Sequence, residues 1–269
     1  VKTFVFASDR YDSMTTSLML EAEDVEHTVL VHTEEQREGF IAGGTAKENR
    51  LVVTGQPAGL AYNRNAALDL MEDGEWAVFL VDDLKGVSEL EGYDTTYEEV
   101  LDITMKNQNE YARRFKNPIS MRQFILRCEQ GSRYCSRIGS HLLGFAGVDN
   151  APYRRNKWGM NILADGRAWA VRKSHLRFDT NVQTMDDYCW CALNLREFGV
   201  VVVNQWILPD CKRYTPGGCG TKEERMPRKI KEAKYLVDTY PEYIAYKKKT
   251  GWPEGSHITL RHRRPKRSN

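Results

Sequence analysis

The chain has 269 residues, 41% hydrophobic and 28% charged, with 39 Lys and Arg against 37 Asp and Glu. That length can bury a full core as one large α/β domain, or as one domain with an appendage. No apolar stretch approaches the ~20 residues of a membrane span, and the opening VKTFVFASDR reads as a strand entering a loop rather than a signal peptide; a cytoplasmic protein with no membrane partner is expected.

Residues 3–7 read as a first strand, with Ser8-Asp9-Arg10 as the loop at its end and a helix over 13–22. A second strand follows at 27–32, a short helix at 34–42 and a third strand at 51–54. Residues 59–71, GLAYNRNAALDLM, carry apolar residues at helical spacing. Next comes WAVFLVDD at 76–83, a continuous apolar run that reads as a buried parallel strand. Strands alternating with helices over the first 85 residues predict a parallel, Rossmann-like sheet with right-handed crossovers.

Helices are expected at 97–115 and 119–130, broken around Asn117-Pro118. Strands are expected at 141–148 and within 158–173, where residues 164–167 make a turn. A helix opened by Asp186 and Asp187 covers 185–198, a buried strand 200–207, and a charged helix about 222–239. The Gly-rich turn at 214–220 precedes that last helix, and a basic tail ends the chain. The domain plan is 1–220, divided into halves 1–96 and 97–220, followed by a C-terminal helix and tail over 221–269. Cys128, Cys135, Cys189, Cys191, Cys211 and Cys219 form no CxxC pair and no zinc-finger spacing, so reduced thiols are expected.

Two features carry chemistry on their own. The first is the pair Asp82-Asp83, where the apolar strand stops abruptly. Ligands in open α/β sheets bind beyond the carboxyl ends of strands, and paired acids there suit a divalent cation such as magnesium or manganese with positions left for phosphate oxygens. The same pair also suits a helix cap or a solvated turn. The second is charge asymmetry: 8 basic against 23 acidic residues over 1–112, 14 against 3 over 113–177, and 17 against 11 over 178–269. The basic middle segment interleaves cations with Phe115, Tyr134, Tyr153 and Trp158, which suits a polyanion with unstacked bases, although charge runs are commonly solvated faces.

The order of four elements resembles a GT-A fold glycosyltransferase: a strand ending in Ser8-Asp9-Arg10, a Gly-x-x-x-x-Arg-Asn helix start at 59–65, a strand ending in Asp82-Asp83, and Asp186-Asp187 opening a later helix after AWAVRKSHLRFD. VLVHTEEQREGF followed by RLVVTGQPAGLAYNRNAAL narrows the resemblance to the TET/JBP-associated glycosyltransferases, which decorate hydroxymethylated pyrimidines in DNA and occur largely in phages and kinetoplastids. The match covers roughly residues 1–220. Val81 stands where many relatives carry the first acid of the metal motif, and Asp186 replaces the usual Glu.

The resemblance implies a nucleotide-sugar donor, a UDP-sugar, a divalent cation (Mn or Mg), and double-stranded DNA containing a modified pyrimidine such as 5-hydroxymethylcytosine. Asp83 would contact the metal and Asp82 a ribose or a water. Arg64 and Asn65 would meet phosphate or sugar oxygens, while Ser8, Arg10 and Thr33 would contact the nucleotide. Asp187 would be the general base of an inverting displacement, with Asp186 beside it. Tyr153, Arg154, Arg155, Lys157 and Trp158 would face DNA, and Gly217 and Gly218 would shape an acceptor loop or a plain turn. His257 and His262 fall where several relatives place a metal-binding histidine, but a phosphate-contacting tail suits both better. A saccharide or glycolipid acceptor, and a non-catalytic nucleic-acid-binding module on a degenerate scaffold, are the alternatives.

Overall fold

The computed structural model describes residues 1–7, 9–90, 116–145, 158–211, 221–248 and 250–261, apart from the side chain of Lys222. The expected helix at 97–115, residues 146–148 of an expected strand, the Gly-rich turn and the last eight residues lie outside them.

Four parallel strands open the chain: β1 (Lys2–Phe6), β2 (Thr28–Val31), β3 (Leu51–Val53) and β4 (Trp76–Val81). They are connected through α1 (Thr15–Ala22), α2 (Glu34–Ala42) and α3 (Leu60–Asp69). With β7 (Leu142–Phe145), β8 (Trp158–Met160), β9 (Ala168–Arg172) and β10 (Val202–Asn204) they build one eight-stranded sheet in the order β3-β2-β1-β4-β9-β7-β10-β8. Parallel pairing covers β1–β4, while β9 runs antiparallel between β4 and β7. The protein is thus α/β, a large mixed and mostly parallel sheet flanked by helices.

Alternation along the strands divides the core. Phe4, Phe6 and Phe79 face one side, joined by Ala67 and Leu68 of α3 and by Trp190 and Ala192 of α5 (Asp186–Phe198). Val5, Val78 and Leu80 face the other, against Leu20 of α1, Phe40 of α2 and Phe124 and Cys128 of α4 (Met121–Arg137). Helix α4 starts on a capping box between Ser120 and Gln123 and runs seven residues past the expected end, because Cys128 and Cys135 continue its buried stripe. The five described cysteines are free.

A second, three-stranded sheet, β11-β5-β6, is built from β5 (Leu84–Leu90), β6 (Lys116–Ile119) and β11 (Ile207–Cys211). Only Asp82 and Asp83 separate β4 from β5, so the acids occupy the corner at which the chain leaves the large sheet. The expected strand over 200–207 is divided in the same way. Asn204 Oδ1 accepts from the amides of Trp206 and Ile207, both at 3.0 Å, and turns the chain from β10 into β11. Within 158–173, β8 and β9 are not partners: β8 pairs with β10 at the far edge.

Residues beyond 220 enter the main core. Ala233 and Leu236 of α6 (Lys222–Thr239), with Ile244, Ile258 and Leu260 of the β12 (Ile244–Tyr246) and β13 (Ile258–Leu260) hairpin, join the cluster containing Trp169 and Trp190. No described helix is long and apolar enough to cross a membrane.

Candidate functional site

From β1 the chain steps through β2 to β3 on one side, whereas β4 lies on the other side of β1. That reversal opens a crevice at the carboxyl ends of β1 and β4, the general place for ligands in such sheets. Arg10 enters it after β1, and Asp82 and Asp83 after β4. Arg10 Nη1 lies 2.8 Å from Asp82 Oδ1 and 2.9 Å from Asp83 Oδ2. Burial raises the Asp83 carboxyl above its ordinary range; Arg10 opposes the shift and the neighbouring Asp82 adds to it. Thr16 fixes this corner from α1: its Oγ1 donates to Val81 O at 2.7 Å and accepts from Leu84 N at 3.0 Å, and its amide donates to Asp82 O.

Next to it, Thr33 is exposed and caps α2, accepting from Gln36 N at 3.2 Å. Gln36 in turn accepts from His32 N and donates to Asp9, tying the β1 loop to α2. Asn63 is buried and supports the β2 and β3 ends, donating to Leu30 O and accepting from Thr54. Thr33, Arg10, Asp82 and Asp83 therefore line one edge of the sheet, while Ser8 lies outside the described residues.

Arg64 and Asn65 do not lie on an open helix end. Arg64 is 1% exposed; its Nη1 pairs with Asp186, its Nη2 donates to Gly166 O at 2.7 Å, and its guanidinium lies 4.2 Å from the Trp169 ring centroid. Asn65 clasps the backbone of Phe178, donating to its carbonyl at 3.0 Å and accepting from its amide at 2.8 Å. Both side chains have an internal role: through them α3 holds the 166 turn and the segment leading into α5. The reason is tertiary, since Phe6, Trp169 and Phe178 wall the guanidinium in and Asp186 supplies its counter-charge.

Asp186 is neutralised in this way, and Asp187 follows it in the first turn of α5. Its Oδ1 accepts from Tyr188 N at 2.9 Å. Burial and then the charge of Asp165 lift the Asp187 carboxyl to about 7, against the Tyr188 hydrogen bond and the charges of Arg64 and Lys229. Asp165 belongs to the 164–167 turn and forms an ion pair with Arg167, whose carbonyl accepts from Val81 N at 3.1 Å. One turn thus connects the Asp82-Asp83 corner to Asp187. Asp165, Arg167 and Lys229 were not singled out from the sequence, where ADGR reads as a turn and Lys229 as one charge of a charged helix.

Where it is described, much of the basic middle segment has partners within the protein, although Arg122, Arg127 and Arg177 keep theirs at the surface. Lys173 is buried on Leu68 O, Arg172 donates to Gly74 O, Arg177 pairs with Asp69, Arg122 donates to Glu23 O and Arg127 pairs with Glu89. Arg133 and Arg137 remain exposed on α4. Trp158 stacks on Tyr134 at 4.8 Å and meets Trp206 edge-on at 4.8 Å. Tyr153, Arg154, Arg155, Lys157, Gly217, Gly218 and His262 lie outside the described residues. His257 lies beside Ser256, with its ring edge-on to Trp252.

Compared with protein-family models and with curated proteins, the chain matches none. Among the described residues no three His, Cys, Asp or Glu side chains form a metal-binding group. The Asp82-Asp83 corner is compatible with a divalent cation by its chemistry: two carboxylates stand together at the end of β4, and a substrate could provide the remaining oxygen ligands.

Proposed function

We propose that the chain is a metal-dependent, GT-A-like glycosyltransferase that moves a sugar from a UDP-sugar to a hydroxyl on a modified pyrimidine in double-stranded DNA. The observation that carries this reading is the placement of a carboxylate pair at the β1/β4 crevice with a second, separately tuned carboxylate, Asp187, joined to it through the 165–167 turn. The order of sequence motifs supports the same chemistry.

In this mechanism the β1 and β2 ends receive the nucleotide, with Thr33 and Arg10 beside it. Asp83 would hold the cation, with Asp82 beside it on a ribose or a water, and the cation would supply charge neutralisation on the departing diphosphate. Asp187, ionised, takes the proton from the acceptor hydroxyl as its oxygen attacks the anomeric carbon, and its charge stabilises the oxocarbenium-like centre. The acceptor assignment rests on the cationic imbalance of residues 113–177, in which Arg133, Arg137 and the cations of 154–157 are the candidates for phosphate contact.

Transfer of labelled sugar from UDP-sugars to 5-hydroxymethylcytosine duplex DNA, with manganese and with chelator, tests the reading. Asp83→Ala should lose metal-dependent UDP binding and transfer while retaining the wild-type circular dichroism spectrum; full turnover in chelator would remove the metal from the mechanism. Replacing Arg154, Arg155 and Lys157 together by Ala should weaken duplex binding regardless of sequence and flatten its log–log salt dependence by roughly one unit per lost contact. Unchanged binding at low salt would leave a solvated surface and turn attention to saccharide acceptors. Arg10, bridging both acids, favours a second reading, a nucleic-acid-binding module without catalysis, and absence of donor turnover together with salt-sensitive duplex binding would select it.

A further inference from the structure

Glu232 belongs to no motif and lies on a helix whose sequence, KEERMPRKIKEAKYLVDT, reads as a solvated charged element. It is 3% exposed. Its Oε1 accepts from Gln183 N at 2.8 Å, and its Oε2 accepts from Thr184 N at 2.8 Å, Thr184 Oγ1 at 2.6 Å and Met185 N at 3.0 Å. Four donors therefore converge on one carboxylate from the three residues immediately before Asp186 and Asp187.

The segment that leads into α5 explains the need. The N-cap residue of α5 is Met185, which makes no side-chain cap, and the amides of 183–185 leading into the helix would be without an acceptor inside their own segment. Glu232 provides it across the tertiary contact. The other side of the same segment is also closed: a Cβ placed on Gly59 would come within 2.6 Å of the Gln183 side chain, and Gly59 itself has φ +146°. Asn65 fixes Phe178 and Arg64 fixes Asp186, so the segment from 178 to 186 is held at both ends, and Glu232 holds the part nearest Asp187. Three acids meet at one helix start with separate tasks. Asp186 is neutralised by Arg64, Glu232 is occupied by amides, and Asp187 remains for chemistry.

We propose that Glu232 is a positioning residue that sets the Asp187 carboxylate through residues 183–185, making α6 an integral part of the reaction centre. The inference rests on the reading of Asp187 as the base given above. Glu232→Gln is the sharpest variant, because an amide keeps the volume, yet its NH2 would meet backbone N–H groups and its single oxygen cannot accept all four donors.

In the 269-residue chain, Glu232→Gln should speed hydrogen exchange at the Thr184 and Met185 amides by tenfold or more and leave β1 and β4 amides unchanged. Turnover of sugar transfer should fall by roughly tenfold to 10²-fold, the loss that a misplacement of about 1 Å can cause, with the KM for the sugar nucleotide unaltered. Thr184→Val, which removes only the hydroxyl donor, should show the same pattern at smaller amplitude and decides the matter should Glu232→Gln fail to fold. Unchanged amide exchange would overturn the clamp. Faster exchange with wild-type turnover would reduce Glu232 to a purely structural contact and overturn the positioning role. If the wild-type chain transfers no sugar to any acceptor, the reaction assigned to Asp187 fails and the positioning role fails with it, while unaltered exchange in the variant would separately remove the clamp.

Discussion

Asp187→Asn should lower kcat for sugar transfer by ~10²-fold or more while sparing donor affinity, since a positioned base contributes ~10²–10⁴. The substitution is nearly isosteric and retains an oxygen for the Tyr188 amide, so the lesion is confined to proton transfer and charge. Wild-type kcat should rise with pH through about 7, where the Asp187 carboxyl loses its proton, and the variant's residual rate should lack that limb. Stability carries an independent signature. An unfolded Asp ionises near 4, whereas the folded carboxyl keeps its proton to about 7. Between those values the folded state binds more protons, so this group's contribution to stability falls as pH rises. Asn carries no such charge. The variant's melting temperature should therefore gain on wild type between pH 5 and pH 8, even as activity is lost. A rate profile unchanged in shape would show that another group is the base, and a product with retained anomeric configuration would exclude direct displacement.

Most of the architecture is legible because apolar periodicity is a local property. Phe4 and Phe6 alternate with Val5, the run 76–81 is buried on both faces, and α5 carries its apolar stripe in the sequence. The acids at 82 and 83 stand out for the same reason, as the place where such a run breaks. What is not legible depends on partners distant in sequence. An Arg at the start of a helix reads as solvent-facing, and only the aromatic walls at Phe6, Trp169 and Phe178, with Asp186, make Arg64 a core residue. Asn204 ends one sheet and begins another with two side-chain hydrogen bonds, an event of one residue inside a strand-like run. Glu232 looks like any acid of a charged helix until the amides of 183–185 are brought against it. Short strands such as β12 and β13 leave little local pattern; their apolar residues matter because they close the layer over α5.

Arg64→Met should destabilise the protein by about 3–5 kcal/mol, the usual cost of leaving one member of a buried ion pair without its partner. The side chain is 1% exposed, Asp186 loses its counter-ion, and the Gly166 carbonyl loses its donor. Arg64→Lys should not rescue it, because an ammonium cannot hold Asp186 and Gly166 O in the planar arrangement of a guanidinium while lying over Trp169. Adding Asp186→Asn to Arg64→Met removes the stranded charge and should recover much of the loss in urea unfolding; an additive double variant would mean the pair is not coupled. The catalytic consequence should not recover. Arg64 also lowers the Asp187 carboxyl from where burial and Asp165 would place it, so without the guanidinium that carboxyl rises further and the rate limb moves to higher pH in both the single and the double variant. A double variant whose stability returns and whose pH profile also returns to that of wild type would show that Arg64 acts on the fold alone; recovery of the first without the second separates its two effects, holding the start of α5 together and biasing the charge of Asp187.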